Sequence, residues 1–169
     1  MAIAGSVKAR RNETVMAIDI NLTAYEILMA AQAGIMRQVE NIKKSAEPYY
    51  GASNTNDWQL HIEGCLGEFA LAKFLNVWWG GKGKKREADV DVYDVRTTPE
   101  HEFRLILHPD DPDDRVFWLV TGRNGSYKIQ GWIRASDGKQ QKYWDDPTRK
   151  RPAFFVPSSA LNDPRDFKK

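Results

Sequence analysis

The order of the segments constrains this chain most. Two stretches with helical period come first, and only short β-rich runs follow them. The first helix begins at Thr23-Ala24-Tyr25-Glu26, where Thr and Glu have the spacing of a capping box. Leu28, Ala31, Ile35, Val39 and Ile42 then step by three or four along one apolar face. Lys43 and Lys44 suit its C-terminal dipole, and Pro48 and Gly51 stop it. A second helix is expected from Asp57 to about Asn76, with Trp58, Ile62, Leu66 and Phe69 on its buried side. Gly64 and Gly67 each cost this helix about 1 kcal/mol relative to Ala, which points to a backbone or a ligand approaching closely. Strands are expected at 88–98, 103–108, 115–121 and 127–135, with Gly122–Ser126 as a hairpin. Phe154-Phe155-Val156 reads as an edge strand, and Pro157–Leu161 as a short helical turn. Helices followed by strands indicate a mixed α+β or α/β architecture in which helices pack on a sheet.

The 169 residues suit one domain, here 21–169, preceded by a polar tail over 1–20. The single cysteine, Cys65, excludes an intrachain disulfide and a cysteine-based zinc cage. The longest apolar run, Val116–Val120, is far too short to cross a membrane, and a cytoplasmic location is expected. A net charge of +2 excludes a polybasic DNA coater. That near-neutral sum hides segregated charge. Lys82, Lys84, Lys85 and Arg86 form a basic loop suited to phosphate contacts, and an acidic stretch follows at once. Trp78-Trp79, beside that loop, are either packed or available to stack on bases.

The acidic stretch is Ala88-Asp89-Val90-Asp91-Val92-Tyr93-Asp94-Val95-Arg96. Its apolar parity slips by one residue near Val92-Tyr93, which requires a bulge or a tight turn. The slip is expected to gather Asp89, Asp91, Asp94 and Arg96 on one polar side, where a divalent cation or Arg96 would offset the repulsion. An ordinary half-exposed strand, with Asp94 and Arg96 as a surface pair, carries the same pattern.

The helix Gly64-x-x-Gly67-Glu68-x-Ala70-x-Ala72-x-x-Leu75, followed by Asp89 and by Asp94-Val95-Arg96, resembles the ordered motifs of the PD-(D/E)XK nuclease-like superfamily, in the style of its small phage members. The resemblance covers roughly residues 57–135. It implies a restriction-endonuclease-like core with a central mixed sheet of four to five strands flanked by helices. It further implies metal-assisted hydrolysis of DNA, with Mg2+ or Mn2+ held by Glu68, Asp89 (or Asp91) and Asp94. Such a phage protein would act in the cytoplasm of a bacterial host. Arg96 stands where the motif has Lys; it can steady a phosphate but cannot release a proton at usable pH. The alternative is a catalytically inactive nucleic-acid-binding or protein-interaction phage protein on the same scaffold.

Overall fold

A computed structural model describes residues 17–44, 56–81, 87–100, 104–147, 149 and 151–168. The strands are β1 (Ile18–Asn21), β2 (Asp94–Thr98), β3 (Leu105–Leu107), β4 (Val116–Arg123), β5 (Ser126–Arg134), β6 (Trp144–Asp145) and β7 (Ala153–Val156). The two long helices are α1 (Ala24–Lys43) and α2 (Asp57–Leu75). One sheet has the order β1-β5-β4-β2, antiparallel except for the β2–β4 pair. A second, antiparallel sheet has the order β3-β7-β6. The fold is mixed α+β.

The layers follow from strand parity. Along β4, Trp118 and Val120 join the core under α1 and α2, while Phe117 and Leu119 join a second core against β3 and β7. A strand covered on both faces needs apolar residues at every position, which accounts for the unbroken run Val116–Val120. On β5 the parity changes within the strand. Leu119 pairs with Gly131 and Val120 with Ile129, so Gln130 is a bulge. Tyr127 and Ile129 therefore face the helices, whereas Ile133 faces the second sheet. Gly131 follows the bulge with φ +154, and a Cβ there would lie 2.6 Å from the Asn162 carbonyl. That close approach lets the C-terminal segment pair with β5 at Trp132.

Local signals place several elements well. Thr23 and Glu26 form the capping box, with Thr23 N–H donating to Glu26 at 2.6 Å. Asn124-Gly125, both at positive φ, turn the β4–β5 hairpin. The parity slip is a tight turn at Val90–Tyr93 with Asp91 at φ +54.

Other expectations are corrected. β1 starts inside the stretch expected as a tail, because Ile18 and Ile20 alternate onto the helix-side core and pair with Ile129 and Tyr127. Residues 1–16 lie outside the described residues. Phe154-Phe155-Val156 is the middle strand of the second sheet, not an edge. Trp58, in the first turn of α2, is exposed.

The apolar stripe of α1 also turns outward: Leu28 is 55% and Ile42 56% exposed. The face that meets α2 carries Ala30, Gly34 and Gln38 instead. A Cβ on Gly34 would lie 2.6 Å from Ile62 Cα, so only small residues let the two helices approach this closely. Leu28→Gln and Ile42→Gln are accordingly expected to change unfolding free energy by no more than about 0.5 kcal/mol in urea titrations. A core position would cost about 2–5 kcal/mol on comparable truncation.

Candidate functional site

Glu68 projects from the middle of α2 and is 6% exposed. A carboxylate buried this deeply needs a partner, and Arg37 of α1 supplies one in fork geometry. Arg37 Nη1 and Nη2 donate to Glu68 Oε1 and Oε2 at 2.6 and 2.7 Å. Trp79 Nε1 donates to Oε2 at 3.0 Å, and Arg37 Nη2 also reaches the Gly81 carbonyl at 3.2 Å. Burial alone would lower the guanidinium pKa, but the Glu68 carboxylate overrides it and raises the value. Cys65, one turn before Glu68, is pushed up to about 12 by burial and then by the Glu68 charge. It stays a neutral thiol near neutral pH and is no nucleophile. His61 accepts from Asn41 Nδ2 at 2.9 Å, and burial lowers its pKa.

This node also sorts the tryptophans. Trp79 is 9% exposed and packs edge-to-face on Phe69, whereas Trp78 is 83% exposed. Arg37 and Glu68 thus clamp the segment Trp79–Gly81 at both ends. Lys82, Lys84, Lys85 and Arg86, directly after it, lie outside the described residues.

The acids of the second stretch are arranged around β2, an edge strand. Asp89 Oδ2 accepts from Val95 N–H at 2.9 Å, so this carboxylate covers the strand's outer edge. Burial and the nearby Glu68 charge push its pKa up to about 6. Asp94 accepts from Arg115 Nη1 at 3.1 Å. Its pKa is raised by burial and by Asp89, against the pull of Arg115 and Arg96. Arg96 makes two 3.0 Å contacts with Asp111, donates Nε–H to the Ile106 carbonyl and lies over the Phe117 ring.

Strand parity then separates the expected set. Val95 faces the core under the helices, while Arg96 lies on Phe117 in the opposite core. Asp94, two residues from Arg96, shares that far face, away from Glu68. Asp89 at the edge feels Glu68 on one side and Asp94 on the other. Asp91 sits on the exposed turn at positive φ and does not join them. Among the described residues, no three His, Cys, Asp or Glu side chains converge to hold a metal ion.

Compared with family models, curated proteins and solved structures, the chain matches none. The site is therefore read from its own chemistry. Trp79 takes the packed alternative, and three residues essential to the site escaped sequence reasoning: Arg37, Asp111 and Arg115. Arg37 had a readable signal, since Ala30, Gly34 and Arg37 recur at helical spacing on one face of α1. Asp111, in the acidic turn before β4, had none. Among the described residues Glu68 pairs with Arg37, Asp94 with Arg115 and Arg96 with Asp111, while Asp89 has no side-chain ion pair.

Proposed function

We propose that this protein binds single-stranded nucleic acid without cutting it. The opposition of Trp78 and Trp79 carries this reading. The Arg37–Glu68 pair holds Trp79 in place and leaves the adjacent large ring in water, where a buried alternative would gain hydrophobic energy. Four cations follow within eight residues of that ring. An aromatic face beside a run of lysines is the chemistry of strand binders, with bases stacking on the ring and phosphates meeting the cations.

The paired charges support binding over hydrolysis. Both Glu68 oxygens already accept from Arg37, and Asp94 is held by Arg115 on the other face of the sheet. This arrangement does not fit a three-carboxylate Mg2+ centre, so no hydrolytic step is derived. One observation favours the second reading, a Mg2+-dependent nuclease with a restriction-endonuclease-like core: Asp89 has a raised pKa and, among the described residues, no side-chain ion pair of its own.

Anisotropy titration of a labelled single-stranded oligonucleotide tests both readings. Binding is expected to weaken steeply with salt. Trp78→Ala is expected to weaken it by about 5- to 150-fold, the equivalent of about 1–3 kcal/mol of stacking. Unchanged affinity in Trp78→Ala, or no binding at low salt, refutes the binding reading. Cleavage with Mg2+ or Mn2+ that disappears in Asp89→Asn establishes the nuclease.

A further inference from the structure

A cleft of about 500 Å3 lies between the first half of α2, the end of β2 and the β4–β5 turn. We infer that this cleft receives one nucleoside monophosphate, free or at the end of a strand. The choice of ligand rests on the nucleic-acid reading; the existence of a ligand rests on Gly64. Gly67 is accounted for within the protein, because a Cβ there would strike Thr97 Oγ1 at 2.0 Å. Gly34 is accounted for by the Ile62 backbone. Gly64 lines the cleft, yet among the described residues a Cβ there would meet nothing within 4 Å. Alanine would favour the helix by about 1 kcal/mol at no steric cost. Among the described residues the bare backbone at Gly64 is thus left uncovered, a flat surface on which a ligand can lie.

The lining gives the class of that ligand. Leu60, Val95 and Pro99 join Gly64 as an apolar wall for a flat body. Asn56 Oδ1 is used on Trp58 N–H and Gln59 Nε2 on Glu63. Among the described residues, Asn56 Nδ2, Gln59 Oε1 and the Asn124 side-chain amide are exposed and make no hydrogen bond to protein, so they are open to a ligand. Free amide donors and acceptors around a flat apolar slot match the edge of a nucleobase. Arg123 lines the same cleft, and its side chain has no ion pair or hydrogen bond among the described residues. A fork of free guanidinium donors suits a phosphate. Glu63, held by Tyr127 O–H and the Asn124 backbone N–H, fixes the turn that carries Arg123 and Asn124.

Calorimetric titration of the full chain with the four deoxynucleoside 5′-monophosphates, with an unphosphorylated nucleoside and with inorganic phosphate tests the assignment. A monophosphate is expected to bind at least tenfold more tightly than the nucleoside or phosphate alone. Arg123→Ala is expected to reduce monophosphate affinity to that of the nucleoside. Gly64→Leu, which fills the slot, is expected to abolish binding while leaving the melting temperature equal or higher. Competition by a 5′-phosphorylated oligonucleotide identifies a strand end as the source; failure to compete identifies a free nucleotide. Monophosphate binding that is absent or indifferent to Gly64→Leu overturns the assignment, as does phosphate binding equally well. If Trp78-dependent strand binding persists in that case, the cleft alone is refuted. If monophosphates bind and strands do not, the strand-binding reading is the one that falls.

Discussion

Arg37→Met is expected to destabilise the protein by about 3–5 kcal/mol, because it strands a buried carboxylate. Methionine matches much of the volume of the arginine stem, so lost packing contributes little. The cost comes from Glu68, which is left charged with its main counterion removed in a nearly dry site. Trp79 Nε1–H alone cannot replace two charge-assisted hydrogen bonds. At about 2–4 °C per kcal/mol for a chain of this size, the melting temperature should drop by roughly 10 °C. The double variant Arg37→Met with Glu68→Gln removes the orphaned charge while keeping an acceptor for Trp79. It should recover more than half of the loss, giving a coupling energy above about 1 kcal/mol in a double-mutant cycle. A loss below about 1 kcal/mol for Arg37→Met would show that the pair is solvated and that the clamp on Trp79–Gly81 is weak. The same variant bears on binding. Arg37 also holds the Gly81 carbonyl, so releasing it loosens the root of the basic segment and should lower oligonucleotide affinity at temperatures where the fold persists.

Local chemistry was readable in the sequence. The Thr23–Glu26 capping box, the Asn124-Gly125 turn and the parity slip before Asp94 each depend on neighbours within a few residues, and each stands where the residue types put it. Tertiary choices were not readable. Leu28, Ile35 and Ile42 form a regular apolar stripe, but α2 took the face where Gly34 allows close approach, and no periodicity weighs closeness against apolarity. The bulge at Gln130 changes which face Ile133 serves, and it is fixed by the crossing of Asn162 over Gly131.

The candidate site divides along the same line. Sequence order places Glu68, Asp89 and Asp94-Val95-Arg96 in the expected succession, and Asp89 does lie within electrostatic reach of Glu68, Asp94 and Arg96. The partners that set their charge state come from distant elements. Arg37 is 31 residues from Glu68, Arg115 is 21 from Asp94, and Asp111 is 15 from Arg96. Pairing at that range follows from layer packing, which a short sequence motif does not encode.

Asp89→Asn separates the remaining readings through its pH dependence. The wild-type carboxyl has a folded pKa of about 6 against an ordinary 3.8, so between those values the folded protein keeps a proton that the unfolded chain has released. The Asp89 contribution to unfolding free energy must therefore fall as pH rises from about 4 to about 6 and stay lower above it. Asparagine carries no charge toward Glu68 and keeps an oxygen for Val95 N–H. The two proteins should be similar near pH 4, and the variant should be more stable by on the order of 2 kcal/mol at pH 8. Urea unfolding at one-unit pH intervals measures the difference directly. A gap that does not widen with pH would mean that Asp89 is hydrated and titrates normally. Repeating the series with millimolar Mg2+ adds the decisive arm. A cation held by Asp89 would stabilise the wild type at pH 8, move its transition below pH 6 and leave the variant unchanged. A charge-paired binding protein would show the same wild-type curve with and without the metal, because the strain at Asp89 then belongs to the fold and to no ligand.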